Sequence, residues 1–173
     1  MEFRKAVPAD LDAIAAIYDR IHTQEEAGET HIGWVRSIYP TRATAEAAMA
    51  AGELFVLEDG GTVAAVARIN QVQVPEYRYA HWLADVPPEQ VMVLHTLTVD
   101  PARGGGGYGT AFVAFYEDWA RSHGCTHLRM DTNVKNTRAR RLYAHLGFRE
   151  AGVVPCVFEG ITGVELVCLE KEL

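Results

Sequence analysis

No stretch of this sequence approaches the ~18 consecutive apolar residues of a membrane-spanning helix, so no membrane partner is expected. The charged opening Met1-Glu2-Phe3-Arg4-Lys5, with Asp10 and Asp12 close behind, has no apolar leader core and predicts a chain without a secretory signal. Cationic excess is missing too: 16 Lys and Arg stand against 23 Asp and Glu, a formal net charge of −7. That balance argues against a protein that coats nucleic acid, whose phosphates need a concentrated basic face, and is compatible with attracting a cationic substrate. The three cysteines, Cys125, Cys156 and Cys168, are odd in number and lack the short paired spacing of a zinc or redox site. No metal is therefore expected, and reduced thiols of a cytoplasmic protein fit best. No repeat, low-complexity tract or linker divides the chain, and 173 residues at 49% hydrophobic suffice for one sizeable core but not for two typical domains. A single domain over residues 1–173 is the expectation.

What is present reads as alternating strands and helices. Phe3 to Val7 is a short strand, and Leu11, Ile14, Ile17, Tyr18 and Ile21 after Pro8 fall at helical spacing. Periodicity lapses from Glu25 to Pro40, a loop or a set of short turns. Thr41 can cap a second helix that Gly52 stops. Leu54 to Leu57 and Val63 to Ala67, separated by Asp59-Gly60-Gly61, form a hairpin. Val91 to Val99 is a buried strand ended by Asp100-Pro101, and beyond the glycine run Phe112, Phe115, Tyr116 and Trp119 mark a helix ending at Gly124. A strand at Leu128 to Thr132 leads to a helix capped by Asn136, with Ala139, Leu142, Tyr143 and Leu146 on one face and Gly147 as terminator. Strands at Phe148 to Val154 and Val164 to Leu169 close the chain. The order β-α-α-β-β-β-α-β-α-β-β predicts an α/β layer structure around a mixed sheet.

The run Gly104 to Gly107, then Tyr108-Gly109, joins a strand to a helix start. Unpaired backbone N–H groups and the positive helix end converge at such a place and bind a phosphate or pyrophosphate; a mobile surface loop is the plain alternative. Gly104-x-Gly106-x-x-Gly109 also spells the dinucleotide fingerprint, with Asp131 in the next strand. A dinucleotide domain usually opens with that unit and continues through further βαβ crossovers, whereas here a meander of strands precedes it. That leaves an NAD-dependent oxidoreductase as a remote alternative. No Gly-Lys-Ser/Thr follows, so the loop is no Walker A motif.

These residues resemble the GNAT superfamily of acyl-CoA-dependent N-acyltransferases. The family's pyrophosphate loop, Arg/Gln-x-x-Gly-x-Gly/Ala, falls on Gly104-Gly105-Gly106-Gly107-Tyr108-Gly109, preceded by Leu94 to Val99. Gly104 stands where Arg or Gln is usual, with Arg103 beside it. A second signature, Asn-x-x-Ala-x-x-Leu-Tyr-x-x-x-Gly-Phe, is matched by Asn136, Ala139, Leu142, Tyr143, Gly147 and Phe148. The resemblance implies a mixed, mostly antiparallel sheet with flanking helices. It further implies acetyl-CoA as cosubstrate, held by Leu97, Thr98, Val99, Arg103, Gly104, Gly105, Gly106, Gly107, Tyr108, Gly109, Thr110 and Asn136, in part through backbone freed where the Leu97–Val99 strand splays from Leu128–Thr132. Family members often dimerise, so a homodimer is also implied.

Acetyl transfer to an amine needs a neutral nucleophile, a stabilised carbonyl oxygen and a protonated leaving thiolate. By resemblance Tyr143 is the proton donor and Asp131 a candidate base. His95 is a second candidate, because Val93, His95, Leu97 and Val99 alternate onto one strand face beside the cleft. Either residue has a purely structural alternative. No cysteine has a His and acid partner, which favours direct transfer. On the acceptor side, His22, Glu25, Glu26, His31, Trp34 and Tyr39 are either carboxylates and rings offered to a cationic amine or a solvated helix end with its aromatics turned inward, and Tyr77, Tyr79, His81 and Trp82 form a second cluster, either lid or packing. The resemblance leaves the acceptor unidentified; the expectation is a primary amine, small and cationic or amino-acid-like, and polyamine, amino acid, aminoglycoside-like drug and protein N-terminus all fit. A non-catalytic CoA-binding sensor or scaffold is the rival reading.

Overall fold

The computed structural model describes residues 1–173. In chain order the elements are β1 (Glu2–Lys5), α1 (Leu11–Glu26), α2 (Arg42–Ala50), β2 (Leu54–Asp59), β3 (Thr62–Asn70), β4 (Val91–Val99), α3 (Tyr108–Ser122), β5 (His127–Asn133), α4 (Thr137–His145), β6 (Arg149–Phe158) and β7 (Ile161–Glu172). All seven strands share one sheet in the order β1-β2-β3-β4-β5-β7-β6. Only β4 and β5 run parallel; every other neighbouring pair is antiparallel. A single parallel pair is not a doubly wound dinucleotide domain, and the predicted element order holds throughout.

Each helix forms where its sequence allows. Leu11, Ile14, Ile17, Tyr18 and Ile21 put one buried stripe of α1 on the sheet, and the Thr41 side chain accepts the Thr44 N–H to cap α2. Both pack with Leu54, Val56, Val63 and Val66 on one sheet face. On the opposite face α3 lays Phe112 and Tyr116 over Ala64, Ala65 and Ala67 of β3. Small residues under large rings let the layers interdigitate, which accounts for an alanine-rich strand at the centre of a sheet.

The terminal hairpin is longer than expected, because β6 runs through Pro155 to Phe158 and β7 begins at Ile161. β6 is an edge strand, where an N–H on the open side has no ladder bond to lose, so Pro155 does not end it.

The long β3–β4 connection is strapped across the sheet by a row of charges. Arg129 of β5 and Arg149 of β6 both lie opposite Glu170 of β7. Glu170, 1% exposed, accepts from the Leu83 N–H at 2.7 Å and from Arg149. Arg129 donates to Gln73 Oε1 and the Ala84 carbonyl and lies under the Trp82 ring. Arg149 reaches the His81 carbonyl. Removing one member of a buried charged group leaves the others uncompensated. Glu170→Ala should therefore cost about 3–5 kcal/mol in urea unfolding and open residues 71–90 to limited proteolysis; an unchanged midpoint would contradict this account of the strap.

Candidate active site

The parallel ladder of β4 and β5 runs only from Val91–His127 to Leu94–Met130. Past it, β4 stays with β3 while β5 stays with β7 through Asn133, so the two diverge. The ladder stops where β4 bulges. Between the pairs Val66–Thr98 and Arg68–His95 the register slips by one, and Thr96 sits at φ +56°. A β-branched residue in that region is strained, a condition that persists only where surrounding structure enforces it; the Tyr39 hydroxyl is hydrogen-bonded to Thr96 Oγ1. The bulge also corrects the expected alternation. Val93 packs with the Tyr77 and Ala151 cluster, whereas Leu97 and Val99 join Leu94 on the α3 face, because one extra residue moves later side chains to the opposite side.

Two cavities open at the fork. The larger, about 460 Å³, is lined by Leu97 to Pro101, Gly104 to Thr110, residues 135–139, Leu142, Tyr143 and the 29–32 loop. The smaller, about 120 Å³, is lined by Trp34, Tyr39, His95, Thr96, Asp131, Asn133 and Phe158 among others. Ile32, Leu97, Asn136, Ala139 and Tyr143 border both.

The larger cavity offers free hydrogen-bond donors at a helix start, an arrangement suited to an anion. Gly107 caps α3 at φ +70° with no side-chain cap, and the N–H groups of Tyr108, Gly109 and Thr110 have no acceptor within the protein. A Cβ at Gly106 would meet the Tyr108 ring at 2.3 Å, whereas Gly104 is open to a side chain at φ −56°. The loop is anchored by Asp100, which accepts both prongs of Arg20 at 2.8 and 2.9 Å and the Ala102 N–H. Lys135 and Arg138 line the cavity beside the N-terminus of α4, where cations oppose the helix dipole unless an anion joins them. The sequence reading missed both, and that placement was the available signal. Arg103 is a correction: its guanidinium bonds the Asp59 carbonyl and Thr62 and lies over Tyr108, outside the cavity lining. Thr98 turns its hydroxyl to the Val66 carbonyl, and Asn136 uses its side chain to cap α4.

Around the smaller cavity the titratable groups differ sharply. Asp131 accepts from the Tyr77 hydroxyl at 2.8 Å. Burial pushes its carboxyl up to about 6, against the lowering effect of that bond, and Glu76 adds to the rise. His95 donates from Nε2 to Asn70 Oδ1 at 2.9 Å, an assignment fixed because Asn70 gives its amide N–H to Glu53. Burial, then Arg68, pushes His95 down to about 4, so it is neutral near pH 7. Burial first, then Asp131, raises Tyr143 above the usual phenol range, and its hydroxyl makes no hydrogen bond within the protein. Tyr77, whose sequence cluster gave no hint of this contact, comes from the strap 54 positions away.

Of the acceptor-side candidates, Trp34 and Tyr39 line the smaller cavity and His31 the larger. Three others are corrections. His22 is buried with Nε2 on the Pro40 carbonyl. Glu25 spends both oxygens on Thr30, Ile32 and Gly33, clamping the loop. Glu26 pairs with Arg36 at the surface.

The sheet is mostly antiparallel and forks at its one parallel pair, and a helix start with free N–H groups, suited to an anion, stands at that fork. Residues 13–148 match the acetyltransferase (GNAT) family, and the chain belongs to it. It is similar to an uncharacterized N-acetyltransferase of Methanocaldococcus jannaschii, 31% identical over 74 residues; the match spans 43% of this chain and about a third (33%) of that relative's length. Among solved structures, a GNAT acetyltransferase of Streptococcus agalactiae 2603 superposes with TM-score 0.82 at 22% identity, over 99% of this chain and 95% of that one. An acetyltransferase of Salmonella typhimurium, solved with its cofactor acetyl-CoA, gives TM-score 0.71 at 22% identity over 100% and 94%.

The loop geometry makes a paired prediction by calorimetry. Gly106→Ala, which must displace the Tyr108 ring, should weaken acetyl-CoA binding by about tenfold or more, roughly 1.4 kcal/mol. Gly104→Gln, installing the side chain usual in the family, should leave it equal or tighter.

Proposed function

We propose that this chain is an acetyl-CoA-dependent N-acetyltransferase that passes an acetyl group directly to a primary amine. One observation carries the reading: the free hydroxyl of Tyr143 stands at the border of a cavity suited to phosphates and a second cavity holding one carboxylate. The unpaired N–H groups of α3, with Lys135 and Arg138, fit the pyrophosphate of the cosubstrate. When bound, acetyl-CoA supplies the acetyl group as a reactive thioester.

The remaining chemistry falls to side chains. The acceptor arrives as an ammonium with a reference pKa near ~10 and must lose a proton before it can attack. Asp131, at about 6, is ionised near neutrality yet more basic than an ordinary carboxylate, which suits a general base. His95, at about 4, holds a proton too weakly for that task. Tyr143 stays protonated across the working range and can give its proton to the departing sulfur. The nitrogen loses two protons in all: Asp131 takes the first and releases it to solvent, and the second, lost from the tetrahedral adduct, restores the Tyr143 hydroxyl.

Following thiol release against a panel of primary amines tests the reading. Tyr143→Phe should lower kcat by about 10²-fold, within the usual range for a positioned acid, with little change in acetyl-CoA KM. Acetyl-CoA binding without release from any amine would favour the sensor instead.

A pH profile isolates the base. The acidic limb of kcat/KM should inflect near 6. Tyr77→Phe removes a donor that favours the Asp131 anion, so the limb should move to higher pH. Asp131→Asn should abolish it. A limb indifferent to both variants would assign the proton to another group.

A further inference from the structure

We infer that the acceptor is a small primary amine with no carboxylate beside its amino group, an alkylamine or arylalkylamine rather than a free amino acid. The inference rests on the acetyltransferase reading and narrows it.

The smaller cavity has one ionised group at neutral pH. Its titratable lining residues are Asp131, His95, Tyr39 and Tyr143. His95 is neutral there and burial holds both tyrosines protonated, which leaves Asp131 as the sole charge. No Lys or Arg lines this cavity. The nearby cation, Arg68, is tied to Glu53 through Nε at 2.7 Å and a second nitrogen at 2.6 Å. Lys135 and Arg138 line only the other cavity, where the cosubstrate's phosphates would engage them. Charges near the cavity add to the negative side: Glu76 acts on Asp131 and Glu159 on Tyr39.

An amino acid would bring its own carboxylate within a few ångströms of Asp131, with no cation to receive it and little water to screen it. An amine without that group brings only the ammonium that Asp131 attracts. The rest of the wall is aromatic. Tyr39 stands edge-on to Trp34 at 5.9 Å and to Phe158 at 4.8 Å. Such rings favour an apolar tail and tolerate a cation at their faces. At about 120 Å³ the space is below the ~300–1,000 Å³ of drug-sized ligand pockets, so it suits a few heavy atoms or the amine end of a slim molecule.

Matched acceptors decide the matter: phenethylamine, L-phenylalanine and L-phenylalaninamide, then isoamylamine against L-leucine, each with acetyl-CoA at pH 7.5 and products identified by mass. The amine of each pair should exceed its amino acid by about 100-fold or more in kcat/KM. Phenylalaninamide, which matches phenylalanine in size without its negative charge, should recover at least about tenfold over it. Amino acids acetylated as well as their amines would overturn the inference and leave the acetyltransferase reading standing. An amide as poor as the acid would overturn the charge argument in favour of size. Acetyl-CoA binding without thiol release from any of the five compounds or a wider amine panel would sink both together.

Discussion

The end of the parallel ladder at Leu94 and Met130 is the constraint on which both cavities depend. If β4 and β5 stayed paired, the backbone of His95 to Val99 would be sealed against Asp131 to Asn133 and no cleft would reach the centre of the sheet. They part because each has a stronger commitment elsewhere. β5 holds a continuous antiparallel ladder with β7 up to Asn133, and β4 follows β3 through the Thr96 bulge. Below the fork the Tyr116 hydroxyl lies 2.6 Å from the Met92 carbonyl and 3.1 Å from that of Arg129, touching both strands where they still run together. Above it, Tyr143 from α4 borders the opening. A strained Thr96 is tolerable because packing on either side holds the strand, and the Tyr39 contact ties the bulge to the acceptor-side loop.

Electrostatics divides the opening into two unlike halves. On one side, helix-start N–H groups, Lys135 and Arg138 make a positive environment suited to phosphates. On the other, burial raises the Asp131 carboxyl to about 6, leaving it ionised near neutrality but more basic than an ordinary carboxylate, and the hydrogen bond from Tyr77 keeps that shift moderate. The donor of that bond is carried by the 71–90 strap, which the Arg129–Glu170–Arg149 row holds to the sheet. The charge state of the proposed base is therefore coupled to a clamp on the neighbouring strands.

Much of the cofactor side was legible in the sequence. The glycine run, the Asn136 cap and the face bearing Ala139, Leu142 and Tyr143 are local patterns, each set by one element's own geometry, and all line the larger cavity. Arg103 misled because adjacency to Gly104 says nothing of direction; its guanidinium turns to the β2–β3 hairpin, where Asp59 and Thr62 offer partners. The bulge was not legible either. Thr96 lies in an unbroken run of strand-forming residues, and only the register against β3 makes it slip, so the alternation read through it placed Leu97 and Val99 on the wrong face.

The acceptor side resisted for a different reason. Its walls come from the 28–41 loop, the strap, the β6–β7 hairpin, α4 and two diverging strands, segments that meet only in three dimensions. Composition there is ambiguous, since a carboxylate near aromatic rings suits a loop clamp as well as a substrate; Glu25 became the clamp and Asp131 the cavity's charge. The same dispersal leaves room for change. The glycine loop of the larger cavity is a short contiguous run pinned by Asp100 and Arg20, whereas the smaller cavity is edged largely by connections that a rigid sheet supports but does not shape. A cation introduced at Val74, which lines the smaller cavity from the strap, would alter the charge there without replacing a residue of the fork or of the glycine loop.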